Sequence, residues 1–207
     1  MVSGSKKKVL VAGATGYIGK AVVAELLDRD FIVFAIVRKE NQLEYSDQRN
    51  LNVISLEIGK NSDWTKQLPK IDIIISCLAS RSGCEQDANF VDYSLNSDLL
   101  YFALKIELQH FIILSAICIQ KPKLAFQRAK LRFNSKLMSS GLRYSIVLPT
   151  AFFKSLSGQV NRIKNGKSFL VFGTGKRTSS LPISEIDLAK YIVNLSLIHI
   201  SEPTRLG

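Results

Sequence analysis

Apolar residues fall into short runs separated by stretches with helical spacing. Residues 9–12 (Val-Leu-Val-Ala) are too few for a helix and lie between Lys8 and Gly13, so they predict a buried strand. Residues 18–28 put Ile18, Val22 and Leu26 on one face with Val23 and Leu27 beside it, which predicts an amphipathic helix. Further apolar runs at 31–37, 51–58, 71–77, 111–115 and 143–148 predict five more strands. A weak helix is expected over 63–68, closed by Pro69, and a long one over 87–108 with Phe90, Tyr93, Leu95, Leu99, Phe102, Ala103 and Ile106 as its apolar set. A basic helix is expected over 124–133, with Phe126 and Phe133 in the core. Beyond it come a helix at 157–163, a turn at Asn165-Gly166, a strand at 169–172 and a helix at 186–193 capped by Ser184. Residues 41–50 are polar without period and read as a loop or a poorly formed helix, and 173–176 read as a turn. Strands alternating with helices imply an α/β fold built on a doubly wound parallel sheet with right-handed crossovers.

Between the first strand and the first helix stand Gly13, Gly16 and Gly19, three residues apart. Glycines allow a tight turn and close approach to a pyrophosphate, while the helix N-terminus offers unpaired N–H groups and the positive end of its dipole. Thr15, Tyr17 and Ile18 complete this expected dinucleotide cradle. A carboxylate after the second strand would hold a ribose 2′-hydroxyl, but Arg38 and Lys39 stand there and Glu40 comes two residues late. A guanidinium forks onto a 2′-phosphate, so the expected cofactor is NADPH. The small residues Ala79 and Ser80 after the fourth strand, and Pro149-Thr150 after the sixth, are further candidates for the cofactor wall. The segment GATGYIG resembles the extended and atypical short-chain dehydrogenase/reductases, which implies a Rossmann NAD(P)-binding fold.

Composition adds limits. The chain has 207 residues, 46% hydrophobic and 22% charged, enough for one domain with a sizeable core. No apolar run approaches the ~20 residues that span a bilayer, and the lysines at 6–8 have no apolar segment of a secretory leader behind them. Cys77, Cys84 and Cys118 are odd in number and lack ligand spacing, so no metal is expected and free thiols in a reducing compartment are. That compartment is read as a bacterial-type cytoplasm, or a plastid stroma if a transit peptide is missing. A net charge of +11 leaves nucleic acid, acidic lipid, a phosphorylated cofactor and a carboxylated substrate open as anionic partners. From Leu195 the sequence reads like a translated sequencing adapter. Residues 195–207, with His199, are therefore expected to be a non-native tail, leaving 1–194 as a Rossmann domain with part of a substrate-binding region from about 150.

Chemistry should gather where the fifth strand ends, at Ser115, and on the basic helix after it. Short-chain reductases carry Tyr-x-x-x-Lys there, the Lys holding the ribose and the Tyr donating a proton to a carbonyl oxygen. Here the spacing reads Phe126-x-x-x-Lys130. A ketone taking hydride needs its oxyanion protonated at once, whereas an alkene conjugated to a large ring spreads the charge and can wait. Residues 114–133 resemble the signature of the divinyl chlorophyllide 8-vinyl reductases, with further matches at 77–81, 91–93, 144–156, 158–160, 164–166, 172–176 and 182–185. That resemblance implies an NADPH-dependent atypical short-chain reductase of (bacterio)chlorophyll synthesis, acting on a divinyl (proto)chlorophyllide. Lys130 and Ser115 become the catalytic candidates, with the proton donor open among Lys130, Ser115, Cys118 and water. Phe152 and Phe153 become the apolar wall for a flat tetrapyrrole. Lys121, Lys123, Arg128, Lys130, Arg132 and Lys136 form a run without one carboxylate, suited to the substrate's propionate. Two rivals are an NADP(H)-sensing regulator of the NmrA type and an RNA-binding homologue. Against the second, the helix aromatics fall at core spacing instead of forming a stacking platform, so no nucleic-acid partner is expected. Peripheral membrane contact stays open.

Overall fold

The computed structural model describes residues 6–38, 48–59, 64–171, 174 and 181–197. Six parallel strands, β1 (Lys8–Ala12), β2 (Ile32–Val37), β3 (Leu51–Ser55), β4 (Ile73–Ser76), β5 (His110–Leu114) and β6 (Tyr144–Val147), pair in the order β3-β2-β1-β4-β5-β6. Strand order reverses between β1 and β4, which pair from Val9↔Ile73 to Ala12↔Ser76. A crevice at the carboxyl ends of these two strands is where open α/β sheets bind ligands.

Side-chain alternation along the strands builds a core on each face. Val9, Val11, Ile73 and Ile75 pack with Val22, Leu26, Leu188 and Ile192 from α1 (Tyr17–Asp28) and α6 (Glu185–Leu197). On the other face Leu10, Ile74, Phe111 and Ile113 meet α3 (Leu95–Lys105) and α4 (Ala125–Met138) through Leu99, Phe102, Phe133 and Leu137. Apolar residues on both sides of every central strand explain why their sequences read as continuous runs.

The expected elements appear with three corrections. The helix expected over 87–108 is broken: α2 (Glu85–Ala88) is followed by a π-helical turn, Asn89–Ser94, before α3. Wide turns carry one residue more than an α-turn, so positions ahead of the turn rotate away from those behind it. Phe90, expected in the core, is therefore 55% exposed. Phe126 is half-buried, while Phe133 is fully buried. Residues 169–171 form no strand, and 172 lies outside the described residues. The short helix expected near 63–68 is a 3-10 turn, Trp64–Gln67. Past β6 come a second 3-10 turn, Phe153–Leu156, and α5 (Ser157–Lys164). Ser184 caps α6 as expected, its Oγ accepting the Asp187 N–H at 3.0 Å. The helix runs on to Leu197 with Ser196 buried, three residues into the stretch read as foreign.

Candidate functional site

The turn after β1 is built around atoms that leave no room for side chains. Gly13 has φ +77°, and a Cβ there would lie 2.8 Å from the carbonyl carbon and oxygen of Cys77. At Gly19 a Cβ would fall 2.1 Å from the Gly13 oxygen, so the first turn of α1 rests directly on the loop. Gly16 donates its N–H to Gly13 O at 2.9 Å and serves as N-cap without any side-chain cap. No acidic residue lies in the first turn of α1. An uncapped N-terminus with no carboxylate in its own first turn, brought against the strand ends, suits a pyrophosphate. Thr15 is half-buried and Ile18 is buried in the core, which leaves Ile18 its backbone N–H to offer.

Arg38 is exposed at the end of β2; Lys39 lies outside the described residues. Across the rim, the Asp87 carboxyl is held below the usual carboxylate range by the Ser82 N–H and hydroxyl and the Arg81 N–H, with the Arg38 guanidinium adding to the effect. Ala79 is exposed and Ser80 half-buried, with the Ser80 N–H donated to Asp92 Oδ2 at 3.4 Å.

Lys130 is sunk into the protein at 4% exposure. Its Nζ lies 2.9 Å from Oδ1 of the fully buried Asp92, an ion pair without the alignment of a hydrogen bond. The same ammonium donates to Leu78 O and Leu114 O, both at 3.3 Å. An ammonium has three donors, and here they face two strand ends and one carboxylate. Leu78 joins this cluster to the glycine turn, because its nitrogen would lie 3.0 Å from a Cβ at Gly13. Ser115 is also buried; its N–H goes to Val147 O at 2.8 Å and its Oγ accepts from Asn134 Nδ2 at 3.0 Å. Asn134 sits one turn beyond Lys130, and Phe126 one turn before it.

A second cluster covers the start of α1. Tyr17 donates its hydroxyl to Glu185, which pushes the phenol up and the carboxyl down from their ordinary values. Phe152 meets the Tyr17 ring edge-on at 6.2 Å, and Lys154 Nζ lies 4.6 Å from the same ring centroid. Thr150 donates its hydroxyl to Leu181 O at 2.6 Å, and Pro149 O accepts from Ile117 N at 3.3 Å. Phe153 does not join the cluster and is 54% exposed. Beyond Ile117, the loop into α4 lines a cleft of about 670 Å³ with Cys118, Gln120, Lys121, Lys123, Leu124 and Gln127.

Asp92, Asn96 and Asn134 are among the buried polar residues that sequence reasoning missed. Each was a polar position inside an otherwise apolar helical face, the one signal available. Among the described residues no cluster could hold a metal ion, and no helix is long and apolar enough to cross a membrane.

Comparison with known proteins extends this geometry. The chain is 44% identical over 206 residues to a chloroplastic divinyl chlorophyllide a 8-vinyl-reductase of Cucumis sativus, a match covering 91% of this chain and 49% of the relative. It thus spans about half the length of that relative. It is 24% identical over 188 residues to the photosystem II assembly factor Ycf39 of a Synechocystis strain, covering 90% of this chain and 57% of that one. Its fold is that of the Bordetella bronchiseptica enzyme WbmG, solved in complex with NAD, with a TM-score of 0.78 at 15% identity over 98% of this chain and 72% of the other. A family model described as NAD(P)H-binding matches residues 13–196, from the first glycine of the turn to the last turn of α6. Cradle and family model agree on the nicotinamide nucleotide, and the chain belongs to the NAD(P)H-binding family.

Proposed function

We propose that this chain is the nucleotide-binding half of an NADPH-dependent reductase that converts the 8-vinyl group of a divinyl chlorophyllide to ethyl. The observation that carries the reading is Phe126, half-buried one helical turn before the locked Lys130, where a carbonyl reductase keeps its phenolic acid. The identity of 44% with an 8-vinyl-reductase, against 24% with an assembly factor, favours catalysis over the sensing role of an NmrA-like regulator.

In this reading the N–H groups of the Gly13–Gly19 turn hold the pyrophosphate. Arg38 and Lys39 take the 2′-phosphate, because a carboxylate there would repel it. Ala79 and Ser80 leave room beside the nicotinamide end, and Pro149 and Thr150 close the far side. Held there, NADPH would supply the hydride, and the vinyl group would take its second hydrogen as a proton from Lys130, Ser115, Cys118 or water. Lys130 and Ser115 would serve the reacting centre from the ends of β4 and β5; for Lys130 to reach the ribose it would have to release one of its two carbonyls. Phe152 and Phe153 offer the tetrapyrrole an apolar wall. A bacterial-type cytoplasm or a plastid stroma would supply such a substrate.

The test is to incubate full-length protein with NADPH and divinyl chlorophyllide and follow the product by absorbance and mass spectrometry. Gain of two hydrogens at the vinyl group is expected, with NADH serving poorly. Protein that retains NADPH but returns the substrate unchanged would overturn the reading.

A further inference from the structure

The basic residues between 121 and 136 look alike in sequence, and the structure sorts them. Lys130 is buried against Asp92. Arg132 lies 4.1 Å from the Tyr93 ring centroid and donates to Asn89 Oδ1 at 3.0 Å. Lys136 faces the same ring at 5.7 Å. Arg128 donates to Lys123 O at 3.2 Å. That leaves Lys121 and Lys123, which line the cleft of about 670 Å³ and pair with no carboxylate among the described residues.

Their placement is fixed from three sides. Pro122 between them has its φ set by the ring. Gln127 Oε1 accepts the N–H groups of Lys123 and Leu124 at 2.8 and 3.0 Å. Arg128 holds the Lys123 carbonyl, and Ile117 N–H ties the loop to Pro149 at the exit of β6. A loop backbone held this way spends little ordering entropy on a ligand, which leaves only the two lysine side chains to be ordered. Leu124, itself exposed, adds apolar surface to the cleft lining. The cleft volume falls within the ~300–1,000 Å³ of small-molecule sites.

We infer that this cleft is the carboxylate subsite of the substrate, with Lys121 and Lys123 gripping the propionate of the tetrapyrrole while the macrocycle lies outside along Leu124. The inference rests on the tetrapyrrole reading above and names which two of six cations recognise the acid.

Full-length protein loaded with NADP⁺, so that nothing turns over, is titrated with divinyl chlorophyllide a and with the methyl ester of its propionate. The free acid should bind roughly tenfold more tightly than the ester, about 1.4 kcal/mol, and the margin should shrink as salt is raised. In Lys121→Gln/Lys123→Gln the acid should fall to the affinity of the ester while the ester is unchanged. Arginine at both positions should restore the preference. Equal binding of acid and ester by the wild type, or a Gln pair that weakens both alike, overturns the subsite and leaves the reductase reading standing. If neither pigment binds protein that holds NADP⁺, both fall together.

Discussion

Removing either member of the Lys130–Asp92 pair should cost far more than an ordinary surface ion pair. Side-chain exposures are 5% and 0%, so neither survivor could recover its lost partner from water. A buried charge stripped of its counter-ion costs about 3–5 kcal/mol, a large share of the roughly 5–15 kcal/mol that holds a domain together. Lys130→Met leaves the buried Asp92 carboxyl with only the Ser80 N–H at 3.4 Å and also strips Leu78 O and Leu114 O of a donor. Asp92→Leu leaves the ammonium with those two carbonyls alone. The double variant removes both charges, and its remaining defect is the two carbonyls, about 1 kcal/mol each. Worked as a cycle, the coupling should therefore reach at least about 3 kcal/mol. The i, i+4 pair of Arg29 and Glu25, with exposures of 30% and 14%, is the internal control and should couple by about 0.5 kcal/mol. Urea unfolding followed by fluorescence reads all of these, because Trp64 is the chain's single tryptophan and packs buried against Phe102 at 5.3 Å. A Lys130–Asp92 coupling below about 1 kcal/mol would refute the reasoning.

Three further outcomes follow from the same geometry. Gly19→Ala forces a methyl onto the Gly13 carbonyl, so it should lose about 1–3 kcal/mol of stability and, on calorimetry, most of its nucleotide affinity. Arg38→Gln should weaken NADPH roughly tenfold to a hundredfold, the scale of a hydrogen bond to a charged group, and leave NADH untouched; equal losses for both would remove Arg38 from the 2′-phosphate. Burial pushes the Cys77 thiol from its ordinary 9.0 up to about 12. Because the folded value is the higher, its contribution is complete below pH 9 and disappears as pH rises through about 12, a loss of about 1.4 kcal/mol per unit. Cys77→Ala should lack that slope when the two proteins are unfolded side by side across this window.

Local signals made the nucleotide half of the site legible. Strand β1, its glycines and the apolar face of α1 follow each other within one βα unit, and each depends on neighbours a few residues away. Tyr17 was legible by position, but its partners Glu185 and Phe152 were not, since they arrive from the far half of the chain. The strand expected from 169 failed over 169–171 for a related reason: its apolar residues satisfy a strand's pattern, yet a strand also needs a ladder partner, which no local pattern supplies. The long helix over 87–108 hid its π-turn because period counting assumes one geometry throughout. Asn96 marks the break, its amide donating to Val91 O and Asp92 O at 3.2 and 3.1 Å.

That extra residue in the wide turn connects the fold to the proposed chemistry. It presents Asp92 to Lys130 and Ser80, fixing a cation where β4 and β5 end and where the glycine turn meets Leu78. An ammonium held this way does not need a neighbouring phenol to keep it in place, and Phe126 provides none. Reduction of a ketone concentrates a full charge on one oxygen and calls for a donor about 3 Å away, which this cluster does not present from position 126. A vinyl group conjugated to a macrocycle spreads the charge that hydride delivers over many atoms. The Lys130 ammonium, paired with Asp92 at 2.9 Å, offers such a diffuse anion the field of an ion pair, and a spread charge needs less stabilisation at any one atom than an oxyanion does. On the proposed reaction, then, Phe126 in the tyrosine's place is no handicap: the charge left by hydride is spread over the ring, and its proton can arrive at carbon later, from Lys130, Ser115, Cys118 or water.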